Sequence, residues 1–109
     1  MTVVMTALVY FTAPNDAVAR EIAASLLDRR LAACVNLVGR GTSLYRWNGT
    51  LQEDAETYVL VKTSEDRVAA TIAAIVAEHP YETPAVLSWS ATAAHPAFGD
   101  WVREQTTDE

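Results

Sequence analysis

The sequence predicts an α+β fold of the ferredoxin-like kind, a β-α-β-β-α-β sandwich followed by a C-terminal helix. Three observations predict it. Stretches rich in β-branched and aromatic residues alternate with stretches whose apolar residues recur at helical spacing. Asn48-Gly49 separates two strand-like stretches, and both residues tolerate the positive φ that a type I′ hairpin turn demands. The resulting order is that of the split βαβ unit, whose right-handed crossovers bring both long helices to one face of a four-stranded antiparallel sheet.

Val3 to Phe11 reads as the first strand, nearly continuous in its hydrophobicity and so a central one. Pro14-Asn15-Asp16 opens a helix, because Asn15 or Asp16 can accept from the first free N–H groups and negative charge suits that end of the dipole. Val18, Ile22 and Leu26 form its stripe, widened by Ala19, Ala23 and Leu27, and Asp28-Arg29-Arg30 makes a polar last turn. Ala33 to Val38 reads as the second strand, interrupted at Gly39-Arg40-Gly41 by a bulge or bend and resumed from Ser43 to Trp47. The Asn48-Gly49 turn sets Trp47 opposite Thr50 and Tyr45 opposite Gln52. The returning strand runs to Thr63, with Val59 and Val61 on one face and Glu56, Tyr58, Leu60 and Lys62 on the other.

Ser64 is a candidate N-cap for a second helix, with Val68, Ile72, Ile75 and Val76 as its stripe. Pro80 stops that helix, since proline lacks the N–H and its ring restricts the residue before it. Glu78 to Val86 is then a short, stiff loop, with Pro84 feeding a last strand from Ala85 to Ala91. Pro96 begins a short helix in which Phe98, Trp101 and Val102 can pack, and Thr106 to Glu109 reads as a frayed polar tail.

A chain of 109 residues, half of them hydrophobic, is expected to form one domain with a real core. The formal net charge is −6, with seven arginines and one lysine, so the surface repels phosphate backbones and nucleic acid is not expected as a partner. No apolar run reaches the length of a membrane span. The N-terminus lacks the basic region and cleavage site of a signal peptide, and one cysteine, Cys34, excludes an internal disulfide framework. These features favour the cytoplasm. Two helices can cover only one face of the sheet, yet Tyr45, Trp47, Tyr58, Leu60, Leu87 and Trp89 are too many large groups for that face alone. Self-association answers the excess.

Five motifs in register resemble the CutA divalent-cation tolerance family. They are Thr12-Ala13-Pro14-Asn15, Leu31 to Asn36, Ser43 to Gly49, Leu60 to Thr63 and His79 to Pro84. The resemblance implies a compact homotrimer, likeness to the nitrogen-regulatory PII proteins in subunit and assembly, and a link to copper and divalent-cation tolerance. Some members carry a cysteine before the Thr-Ala-Pro motif, where this chain has Phe11, and a histidine pair before Pro-Tyr, where this chain has Glu78-His79. With a thiolate and an imidazole missing, Glu78 and His79 make a weak half-site for Cu(II) or Zn(II), and no cofactor is obligatory.

Other residues divide between structural and functional readings. Cys34 is a small buried hydrophobe or, from its place in the family motif, a thiol lining a cleft between subunits. His79 is a cation that satisfies the last carbonyls of its helix, or a ligand. Lys62 pairs with an acid such as Glu56 or Glu82, or contacts an anion in a cleft that includes Tyr81. Tyr45, Trp47, Tyr58 and Trp89 read as interface anchors. No nucleophile–base pair, HExxH, phosphate loop or two-cysteine metal motif occurs. The expected function is a trimeric sensor or scaffold and not an enzyme; the alternative is an enzyme using Lys62, Tyr81 and His79 in an intersubunit cleft.

Overall fold

The structure is a computed structural model and describes residues 4–107. The expected strand residue Val3 and the tail residues Asp108 and Glu109 lie outside the described residues. The elements follow the predicted order: β1 (Thr6–Ala13), α1 (Asp16–Asp28), β2 (Cys34–Trp47), β3 (Thr50–Ser64), a 3-10 turn (Glu65–Arg67), α2 (Val68–Glu78), β4 (Val86–Ser90) and α3 (Pro96–Gln105). The four strands form one antiparallel sheet in the order β2-β3-β1-β4.

Helix α1 starts where its cap allows. The Asn15 side chain accepts from the Val18 N–H at 2.9 Å, while Asp16 turns aside to accept from the Thr57 hydroxyl at 2.6 Å. Ala19, Ile22 and Leu26 are buried against Val9, Phe11, Val59 and Val61 of the sheet, and Ala23 is buried as well. Leu27, assigned to the stripe from its spacing, is exposed, and so is Val76 of α2. In α2 Ile75 is buried as expected, and so are Ala74 and Thr71, whose hydroxyl donates to a carbonyl, at 2.8 Å from both Leu31 O and Arg67 O. A polar residue satisfied in this way is invisible to a hydrophobic stripe.

Two end assignments are corrected. Ser64 caps nothing through its side chain; it ends β3, and its hydroxyl lies 2.7 Å from that of Thr106. Thr106 is buried rather than frayed, since it also bonds Val102 O at 2.9 Å and its own carbonyl accepts from Arg67. This knot docks α3 at one end of the sheet.

Strands β2 and β3 continue well beyond the sheet. Strand β1 pairs with β3 only from Thr57 to Ser64, so Thr50 to Glu56 and the facing part of β2 form a two-stranded ribbon. The turn has Asn48 at φ 50° and Gly49 at φ 78°, and the register pairs Trp47 with Thr50 and Tyr45 with Gln52, as predicted. The interruption at Gly39 is a bulge within one continuous strand, with Val38 as the extra residue and Gly39 at φ 137°. One inserted residue exchanges the faces. Arg40 thereby falls opposite Thr57 on the helix face, where one guanidinium nitrogen donates to Thr57 Oγ1 and to the Pro14 carbonyl, each at 2.9 Å. Tyr45 and Trp47 fall on the opposite face with Tyr58.

Candidate functional site

The face away from α1 and α2 is organised in rows by the strand register. Cys34, Lys62, Leu8 and Trp89 lie side by side across the four strands, and Asn36, Leu60, Tyr10 and Leu87 form the next row. Trp89 is 47% exposed and Leu87 54%. Further along the same face come Tyr58, Glu56, Tyr45 and Trp47, the last 50% exposed. The aromatic residues expected at an interface therefore do share one uncovered surface. Tyr58 lies flat over Gly41, where an added Cβ would come within 2.2 Å of its ring, and its hydroxyl is 3.1 Å from that of Ser43.

At the root of the ribbon this face opens into a cavity of about 700 Å3 lined by Tyr45, Trp47, Asp54, Glu56, Tyr81 and Glu82 beside the end of β1. Two tyrosine–carboxylate pairs shape it. Tyr45 donates to Asp54, the carboxylate diagonally across the ribbon, and this bond pushes its phenol up to about 12. Tyr81 donates to Glu56 at 3.3 Å; burial, then the charge and hydrogen bond of Glu56, raise the Tyr81 phenol. Burial and the charges of Tyr58 and Glu56 raise the Tyr10 phenol as well. Glu56 is only 6% exposed.

The loop that carries Tyr81 is held by His79. The expected bond to late helix carbonyls is not made; instead the ring turns inward and is buried. Nδ1 accepts the Tyr81 N–H at 3.1 Å, so Nε2 carries the ring proton and donates it to the Thr12 carbonyl at 2.6 Å. The ring also meets Tyr81 at 4.7 Å between centroids and the edge of Phe11 at 6.3 Å. Glu78 faces α1, where it accepts from Ser25 at 3.0 Å and lies 3.6 Å from Arg29. Glu78 and His79 thus have separate partners, and both His79 nitrogens are engaged. Position 11 offers a phenyl ring where a soft donor would be needed. Among the described residues no three His, Cys, Asp or Glu side chains converge as metal ligands. The residues present do not fit a preformed divalent-metal site.

The expected cleft residues fall into two groups. Glu56, Tyr81 and Glu82 line the cavity, whereas Cys34 and Lys62 are neighbours near the other end of the same face. Among the described residues Lys62 makes no ion pair with Glu56 or Glu82 of its own chain, and it lies six strand positions from Glu56, which bonds Tyr81. Asp54 and Arg40 were not anticipated as shaping residues. Asp54 is one step diagonal to Tyr45 in a register the Asn-Gly turn already specifies, so that signal was present. Arg40 gave none, because its reach depends on the exact position of the bulge.

Comparison with known proteins adds to this geometry. The family model described as CutA1 divalent ion tolerance protein matches residues 7–105. Protein CutA homolog of Xenopus laevis is 42% identical over 93 residues, covering 85% of this chain and 62% of that protein. Divalent-cation tolerance protein CutA of Thermus thermophilus is 40% identical over 102 residues, covering 94% of this chain and 99% of that protein. The crystal structure of CutA1 from Oryza sativa matches over 100% of both chains with a TM-score of 0.93 at 32% identity. The chain spans less than two thirds of the Xenopus laevis relative and 55% of its Mus musculus counterpart.

Proposed function

The chain belongs to the CutA1 family of divalent ion tolerance proteins, and from that premise we propose that it works as a homotrimer, a PII-like sensor or scaffold linked to divalent-cation (copper) tolerance and not an enzyme. The observation that carries the assembly is the uncovered sheet face. Trp47, Trp89, Leu87 and Tyr45 stand exposed on it, beside a ribbon that no third strand joins among the described residues. Contiguous apolar surface of this kind marks an interface, and a two-stranded ribbon is marginal without cover. Tyr45, Trp47, Tyr58 and Trp89 are the anchors in this reading. A sensor or scaffold needs a surface that changes with a ligand rather than a nucleophile and base.

A cation reaching this protein has to be captured weakly. Binding at His79 must open one of two existing hydrogen bonds, and Glu78 must leave Ser25 and Arg29. We expect loose Cu(II) or Zn(II) binding at His79 and Glu78 and poor selectivity for Cu(I), with no obligatory cofactor. A reducing cytoplasmic setting suits a lone, unpaired Cys34.

Light scattering at micromolar concentration tests the assembly. The expected mass is three times 11.9 kDa; a stable single subunit refutes the reading. Titration calorimetry of Cu(II) and Zn(II) against the wild type and His79→Ala tests the cation. Weaker binding in the variant is expected, and equal affinity removes His79 from any metal role.

A further inference from the structure

Lys62 is the only lysine in the chain. It sits half-buried on the open face, between Cys34 and Leu8 in the strand register. Among the described residues its side chain makes no hydrogen bond and no ion pair. Farther along the same face is the converse. Asp54, Glu56 and Glu82 line the cavity with no lysine or arginine in its wall, and among the described residues the buried Glu56 side chain bonds only the Tyr81 hydroxyl. A carboxylate has room for several donors, and this one is filled once.

In a single chain these charges are tolerable, because the ammonium can reach water along its stem. Covering the face with another copy removes that water, and an unpaired charge taken out of water is costly. Lys62 and Glu56 lie six positions apart on one strand, about 20 Å at strand spacing, so they cannot meet within one chain. They can meet between copies. We propose that Lys62 of one subunit places its ammonium in the Glu56 pocket of the next, so that each copy completes its neighbour's cavity. The aromatic rings of Tyr45, Trp47 and Tyr81 around that pocket suit a cation as well as the carboxylates do. Such a contact joins two different ends of the same face. It is head-to-tail rather than self-complementary, and a head-to-tail contact closes into a ring when the rotation between copies is a whole fraction of a turn, a third for a trimer. The inference rests on the homotrimer reading and adds to it the residue pair that registers one subunit on the next.

The lone lysine allows a direct test. A carbodiimide activates a carboxylate and joins it to an amine in contact, forming an amide as the activating group leaves as a urea. The native protein should give a covalent ladder at two and three times the subunit mass. Digestion should show Lys62 joined to Glu56, or to Asp54 or Glu82 of the same pocket. Lys62→Arg keeps the positive charge but cannot form the amide, so it should keep the assembled mass and lose that link. Lys62→Glu should weaken assembly at least tenfold, and combining it with Glu56→Lys should restore most of the loss. Far-UV circular dichroism checks that each variant is folded. A trimeric protein with no Lys62 link, or with Lys62 joined to a carboxylate outside the pocket, overturns this pairing and leaves the homotrimer standing. A single-subunit mass overturns both.

Discussion

At the scale of single residues, two side chains show how contacts distant in sequence decide chemistry. His79 could be picked out from the sequence as a histidine against Pro80, but its partner, the Thr12 carbonyl, lies 67 positions away. No local spacing reveals such a pair. The two bonds specify a ring protonated at Nε2. Nitrogen-15 NMR of the neutral ring should therefore show the Nε2–H tautomer. His79→Ala should cost about 2 kcal/mol in a denaturant titration, the sum of two ordinary net hydrogen bonds. Tyr45 carries the opposite lesson, since its partner was legible once the turn register was known. Its phenol, raised from 10.0 to about 12 by Asp54, keeps its proton in the folded chain after the unfolded chain has lost it. The folded form binds more protons in that window, so the stabilisation is complete below the unfolded value and is lost as pH rises through about 12. Absorbance titration of the tyrosinates should show one late phenol, and Asp54→Asn should bring it back toward the ordinary value.

At the scale of elements, the ribbon was the most legible part. Asn48-Gly49 predicted its register, and Gly39-Arg40-Gly41 marked where the bulge falls. The backbone constraint at such positions is local, so sequence carries it. Gly39 at φ 137° is a test, because a side chain there is strained; Gly39→Ala should cost about 1–3 kcal/mol in urea or thermal unfolding. Helix starts were less legible. Asn15 capped α1 as its chemistry suggests, but Ser64 spends its hydroxyl on Thr106, a residue 42 positions on. An N-cap residue with a competing buried partner looks the same in sequence as one without. Trp47 belongs to this scale because it rides the ribbon. Trp47→Ala should weaken assembly by about 2 kcal/mol or more if the ring lies near the interface centre, measured as the dissociation constant in sedimentation. An unchanged constant places it at the rim.

At the scale of the whole molecule, element order alone carried the sheet topology, because the crossover rule leaves few ways to arrange β-α-β-β-α-β. The open face was inferable from counting large groups against one covered side. What covers it was not, since a partner surface leaves no period in the sequence. If cover comes from other copies, the midpoint of thermal unfolding should rise with protein concentration across a dilution series. A flat response would indicate that the single chain is self-sufficient. The strand pairing also bears on how the protein is made. β1 leaves the ribosome before the other three strands, yet both its sheet neighbours come late, and Thr6 waits for Ser64 about sixty residues on, roughly 3–12 s at ordinary translation rates. The β2–β3 ribbon needs only its own turn and closes on the scale of microseconds once it emerges. The nascent chain therefore carries an apolar strand without a neighbour for seconds while its most hydrophobic core residues, Val9 and Phe11, stay open to the chaperones that meet new chains.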